Sequence, residues 1–349
     1  MQNRFIAVDI VPTGLKASIG GFVGDATPSA NLLASACDAL IVHPNIVNGV
    51  MYNLMAPNCL YVEGSLIDWL FLEKIGLKLS RNNKIGVIID KHEKFGKEYV
   101  INTINSVEVN KGIRIGKVLF SNVPFGVSAY KNKAGAFVGE IERAEKIIEM
   151  AEKLLKGGCN AIAVSAHIEV KKKDLKDYFA GKAPNPYGGV EAIISHMLCE
   201  KFEIPCAHAP ILFGKEIEYF IHLGIVDPRA SAEAIGPAYL GSVLQGLHHA
   251  PQITKEKDKS PEKIFLDDIC ALITPADCLG GIPHLSAENA GIPIIAVREN
   301  KTILNVTNKK MKLKNVFEVE NYLEAAGILL ALREGITPSS VRRPIKSVV

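Results

Sequence analysis

Short runs of β-branched and aliphatic residues alternate along the chain with longer stretches whose apolar positions recur every three or four residues. The runs include Phe5 to Val8, Ala39 to Val42, Ile85 to Ile89, Val118 to Phe120, Ala161 to Val164, Ala271 to Thr274 and Ile292 to Val297. Such alternation predicts βα units and a mostly parallel sheet. Several runs are apolar at nearly every position, as expected of strands covered by helices on both faces. From Glu140 to Lys156 the apolar residues fall at helical spacing, with acids early, lysines late and Gly157-Gly158 at the end. That charge order suits a helix dipole. The expected class is therefore α/β, with mostly parallel sheets flanked by helices.

An internal repeat suggests two pseudo-duplicated halves. Val11-Pro-Thr-Gly14 is followed by Gly20-Gly-Phe-Val-Gly-Asp25, a helical stretch and Cys37-Asp-Ala-Leu-Ile-Val-His43. Val123-Pro-Phe-Gly126 is followed by Gly135-Ala-Phe-Val-Gly-Glu140, a longer helical stretch and Cys159-Asn-Ala-Ile-Ala-Val-Ser-Ala-His167. The corresponding division is a first α/β half over 1–112 and a second over 113–250. A charged, Pro-bearing linker or loop follows over 251–263, then a C-terminal α/β segment completing the fold over 264–336 and a tail over 337–349. On this reading Gly20 to Asp25 superposes on Gly135 to Glu140, His43 lies near His167, and a cleft opens between the halves.

Composition narrows the class of partner. Of 349 residues, 48% are hydrophobic, ample for a large core. The net charge of +3, from 40 Lys+Arg against 37 Asp+Glu, is too small an excess to expect nucleic acid. Asp9 interrupts the first apolar stretch, and no run approaches the roughly 20 apolar residues of a membrane span. The expectation is a cytoplasmic protein without a membrane partner, with homo-oligomerisation left open. Seven cysteines without a Cys-x-x-Cys spacing read as reduced thiols; Cys37, Cys159 and Cys270 sit at strand starts and read as core.

In open α/β sheets, ligands bind beyond the carboxyl ends of the strands. Residues following the predicted strands include His43 with Asn45, His167 with Glu169, and Asp277, Cys278, Gly280, Gly281 and His284, while His208 follows a helical stretch. Imidazoles there can move protons or bind a metal, although no metal-ligand spacing is present and no cofactor is indicated. His43, His167, His208 and Cys278 are the candidate catalytic residues. Cys278 would be activated by a helix N-terminus. Asn45, Glu63, Glu169, Asp277 and His284 are supporting candidates, and Asp9 and Glu191 are further acids able to partner a histidine. Gly20, Gly21 and Gly24, with Gly280 and Gly281, form turns whose amides could hold an anion, or which simply require positive φ. His196, His248 and His249 lie in helical patterns and read as structural or exposed.

The motifs His43-Pro-Asn-Ile-Val-Asn-Gly, Tyr61-Val-Glu-Gly, Ile204-Pro-Cys-Ala-His-Ala-Pro210, Asp227-Pro-Arg-Ala-Ser-Ala-Glu-Ala-Ile-Gly236 and His249-Ala-Pro-Gln252 resemble those of an uncharacterised bacterial and cyanobacterial family catalogued as a domain of unknown function. The resemblance spans nearly the whole chain and implies no reaction. The duplicated outline is also similar to the aspartate/glutamate racemase superfamily. Where those enzymes carry paired cysteines, however, this chain has His43 and Ser165-Ala-His167, which disfavours a cysteine-pair racemase. The leading expectation is an enzyme of lyase, isomerase or hydrolase type, acting on a small anionic, carboxylate-like metabolite by histidine acid/base chemistry. A non-catalytic small-molecule binding or regulatory protein is the alternative, and a metal-dependent enzyme a third.

Overall fold

The computed structural model describes residues 4–49, 53–236, 239–258, 260–345 and 347. The apolar runs become two parallel sheets. One has six strands in the order Val316–Val319, Ile294–Val297, Ile269–Pro275, Ile6–Asp9, Ala39–Val42 and Cys59–Tyr61. The other has four, in the order Cys206–Pro210, Ala161–Ala166, Ile85–Ile89 and Ile115–Phe120. Strands Ile6–Asp9, Ile85–Ile89 and Ala161–Ala166 are buried at every position, as the unbroken apolar runs require. The α/β class with helix-flanked, mostly parallel sheets is thus what the chain forms.

Hydrogen bonding divides the chain differently from the sequence segments. A boundary at residue 112 separates Ile85–Ile89 from Ile115–Phe120, yet these strands pair side by side. Residues 6–61 share their sheet with 269–319, so the chain crosses to the second sheet once and returns once. Both crossings are secured in a small antiparallel sheet, where Gly76–Lys78 pairs with Gln252–Thr254 and Lys263–Ile264. The 251–263 segment is therefore strand at both ends with a loop between. Beside it, the buried Asn83 donates to the carbonyls of Leu247 and Ala250, both at 2.8 Å, while its oxygen accepts from Ser80 and Gln252.

The repeated sequence does not become a repeated conformation. Gly20 to Asp25 is an irregular turn, whereas Gly135 leads into Phe137–Ile141, a strand paired antiparallel with Val127–Lys131. The strands following the two copies lie in different sheets. What the copies share is turn chemistry: Gly14 and Gly126 have φ of 70° and 67°, and Gly20 and Gly135 both 86°, a region that favours glycine.

In each sheet the winding direction reverses beside a central strand, and at the carboxyl end of that strand stands an aspartate. Such reversal points are the usual ligand crevices of open sheets, but here protein fills them. Asp90, after Ile85–Ile89, accepts backbone N–H groups from Lys91, Phe125 and His167 at 2.7, 2.9 and 3.2 Å. Asp9 is fully buried, with no partner for either carboxyl oxygen among the described residues, and burial raises its pKa to about 7.

Two predictions follow from these buried groups. Asn83→Ala should lower unfolding stability by about 2–4 kcal/mol in urea titration, because it strands several buried hydrogen-bonding groups. Asp9 keeps its proton in the folded state between about pH 4 and 7 while the unfolded chain loses it, so it draws stability down as pH rises through that window. Asp9→Asn should therefore gain stability over the parent at pH 8, by up to about 4 kcal/mol, and gain least near pH 4; equal gains at both would refute the assignment.

Candidate functional site

The largest concentration of polar side chains around a cavity lies between the two sheets, away from their reversal points. The cavity encloses about 120 Å³. From the six-stranded side it receives His43, which follows Ala39–Val42, and Glu63, which follows Cys59–Tyr61. From the other side come His208, within Cys206–Pro210, and one face of the helix Gly188–Phe202. Gly188, Glu191, Ala192, Ser195 and His196 all line it, and their spacing of three and four residues puts them on a single helical stripe.

Glu63 is set by the start of the helix Gly64–Phe71. It caps that helix by accepting the Ser65 N–H at 2.8 Å on Oε2, which leaves Oε1 for His196 Nε2 at 2.8 Å and the Ser195 hydroxyl at 3.3 Å. Burial alone would lower the pKa of His196. The hydrogen bond to Glu63 and the charges of Glu63, Asp68 and Glu200 outweigh it, and the net shift is upward.

His43 and His208 are held by the same device. Each accepts a backbone N–H at Nε2, from Val11 at 3.0 Å and from Ala166 at 3.2 Å, so in each neutral ring the proton sits on Nδ1. The Nδ1 of His208 lies 3.2 Å from Glu191 Oε1 and donates to it. Burial lowers the pKa of His43 to about 4 against the opposing charge of Glu63, so its ring is a neutral donor at physiological pH.

At the rear of the cavity Glu233 is 1% exposed. Its Oε1 accepts the Val23 N–H at 2.9 Å and the Tyr178 hydroxyl. Burial raises its pKa to about 7, with the negative charges of Asp25 and Glu191 adding to the rise and the two hydrogen bonds opposing it. Tyr239 also lines the cavity, and its buried hydroxyl has no partner among the described residues.

Of the sequence candidates, His43, His208, Asn45, Glu63 and the further acid Glu191 line this cavity; the others lie elsewhere. His167 places Nε2 at 3.1 Å from both oxygens of Glu216 and packs against Phe213. Glu169 is exposed on its short strand, and Asp277 accepts the N–H and hydroxyl of Thr302. Cys278 is buried against Thr274, and burial pushes its thiol up to about 12, opposite to helix-terminal activation. His284 accepts the Gly281 N–H at Nδ1 and pairs with Thr274 through Nε2. The loops after residues 42, 164 and 274 thus do not share one cleft.

Neither glycine turn offers an open anion site, because the protein occupies both. The Asp25 carboxyl accepts the Gly20 N–H at 2.7 Å and the Phe22 N–H at 3.3 Å. A side chain at Gly21 would strike the Ala17 carbonyl, and one at Gly24 the Asn48 carbonyl, so close packing accounts for these two. The Gly281 amide is taken by His284, while Gly280 packs against Val306.

The sequence reading underrated His196 and Glu191 and passed over Ser195, Glu233, Tyr239 and Tyr187. The stripe at 188, 191, 192, 195 and 196 carried the readable signal, since Glu191, Ser195 and His196 put polar groups where a helix between two sheets should be apolar. Glu233 and Tyr239 had none, since only the return of the chain brings them to the cavity. Among the described residues no three His, Cys, Asp or Glu side chains are grouped to hold a metal ion, and no helix is long and apolar enough to cross a membrane.

A family model described as "Protein of unknown function (DUF3326)" matches residues 6–342. The chain is also 32% identical to an uncharacterized lipoprotein of Synechococcus sp. (strain ATCC 27144 / PCC 6301 / SAUG 1402/1), over 98% of this chain and 94% of that protein. No solved structure matches it.

The Glu63–His196 pair yields a direct test. Glu63→Gln should drop the His196 pKa below its ordinary 6.5, since burial then acts with less opposition. Titration of the ring protons by NMR reads this, and an unmoved His196 would show that Glu63 does not control it.

Proposed function

The chain belongs to the family of proteins of unknown function (DUF3326), and since membership brings no reaction with it, we propose from the cavity itself that the protein is an acid–base enzyme of lyase, isomerase or hydrolase type acting on a small metabolite. One observation carries this reading: two carboxyl groups face one cavity in environments that separate their roles. Glu233, raised to about 7 by burial, can give or take a proton near neutral pH. Glu191 is engaged by the His208 N–H and serves as its counterpart. A buried carboxyl poised near neutral pH in a cavity is a recurrent basis of proton-transfer catalysis.

The other groups support the transfer. His43, neutral with its proton on Nδ1, is a donor for an oxygen on which negative charge develops. The Glu63–His196 pair holds the helix Gly188–Phe202 in register with Gly64–Phe71. His167 and Cys278 leave the proposed machinery, and with the glycine turns filled by Asp25 and His284 the expected anionic substrate loses its binding elements. We retain a cytoplasmic location as part of the proposal. The lipoprotein designation concerns the relative.

Incubating the protein with a metabolite extract and following its composition by mass spectrometry tests the reading. Some metabolite should be consumed, and Glu233→Gln and Glu191→Gln should each slow this on the order of 10²-fold or more while the protein stays folded. Ligand retention without any conversion would favour a binding protein instead.

A further inference from the structure

We propose that the cavity takes a small organic cation, an ammonium-bearing metabolite whose charge lies between Glu191 and Glu233 and whose polar remainder reaches the Tyr239 hydroxyl. This names the substrate class for the acid–base reading above and rests on the same cavity. Charge is the first argument. Glu63, Glu191 and Glu233 line the cavity, and no Lys or Arg does among the described residues. Glu63 is already matched by His196 at 2.8 Å. Among the described residues Glu191 has only the neutral His208 Nδ1–H beside it and Glu233 has no cation, while Asp25, itself faced by Arg229, lies near Glu233.

The unused hydrogen-bonding capacity is the second argument. The hydrogen bonds of the Glu191 and Glu233 carboxyls fall on Oε1 in both residues, leaving each Oε2 to accept. The Tyr239 hydroxyl is buried without a partner among the described residues. Buried polar groups left unsatisfied are costly in a native structure, and the Tyr239 hydroxyl, beside two carboxyl oxygens that accept no hydrogen bond from the described residues, identifies what a ligand must bring. An ammonium group supplies three donors and a compensating charge. A carboxylate would add a fourth negative group, and a neutral polyol would leave the facing acids uncompensated.

The partial positive charge at the start of the helix Gly188–Phe202 does not reverse this. Glu191 stands in its first turn, where an acid offsets the dipole. Gly188 and Gly189 are explained by packing, since side chains there would meet Thr13 and the Phe137 carbonyl.

Calorimetry and thermal shift with ethanolamine, putrescine and agmatine, against succinate and myo-inositol at matched ionic strength, test the proposal. At least one ammonium compound should bind saturably, and Glu191→Gln should weaken it about tenfold or more. Tyr239→Phe removes only an unpartnered hydroxyl, so it should fold normally and still weaken binding measurably. Binding by succinate or inositol but by none of the three amines would overturn the ligand class, as would amine binding indifferent to both substitutions. If amines bind as expected but no extract component is converted, the acid–base reading fails and the ligand class stands. Conversion of an anionic or uncharged metabolite would have the opposite meaning.

Discussion

The Glu63 carboxylate joins the two halves of this molecule at the place where they form a cavity. Through Oε2 it starts the helix that follows the last strand of the six-stranded sheet, and through Oε1 it holds Ser195 and His196 on the helix leading into the four-stranded sheet. A buried carboxylate must be matched by donors or it destabilises the fold. Here the donors come from both sides of the chain crossing. The position of the polar stripe Glu191, Ser195 and His196 is thereby tied to that of His43, which follows the neighbouring strand of the first sheet. The same buried group therefore governs local helix structure, the relation of the sheets and the electrostatics of the site.

Internal satisfaction of polar groups explains why the site lies away from the sheet reversal points. At one reversal Asp90 gathers the N–H groups of Lys91, Phe125 and His167, so no crevice remains for a ligand. At the other, Asp9 is sealed with no partner among the described residues. The glycine turn at Gly20 to Gly24 is also occupied, by Asp25. What remains open is the space beyond Val42, Tyr61 and the strand Cys206–Pro210, lined by groups whose hydrogen-bonding capacity is only partly used.

Acidity is the thread connecting that space to chemistry. Burial raises Asp25 and Glu233 to about 7 and lowers His43 to about 4. The cavity thus combines one carboxyl, Glu233, that exchanges protons near neutrality with an imidazole that does not. This reverses the roles expected from residue type alone, in which histidines would move the protons. His43 and His208 are instead fixed by backbone N–H groups at Nε2, a geometry that sets the tautomer and orients each ring.

The sequence by itself determined the strands, because unbroken apolar runs such as Ile85 to Ile89 and Ala161 to Val164 can be buried only between helix layers. It also indicated that His43 and Glu63 would follow strands, and both line the cavity, whereas His208, which follows a helical stretch in the sequence, lines it from within the strand Cys206–Pro210. Which strands pair was decided by tertiary structure. Residues 6–61 close their sheet with 269–319, a pairing of segments far apart in sequence, while similar turn motifs at Gly20 and Gly135 entered different conformations because their surroundings differ. His167 and His43 follow equally apolar strands, yet Glu216 and Phe213 enclose the first while the second borders a cavity. Local pattern records which residues prefer burial; the partner each buried polar group finds depends on the three-dimensional path of the chain, and that path made Glu233 and Tyr239 part of the site.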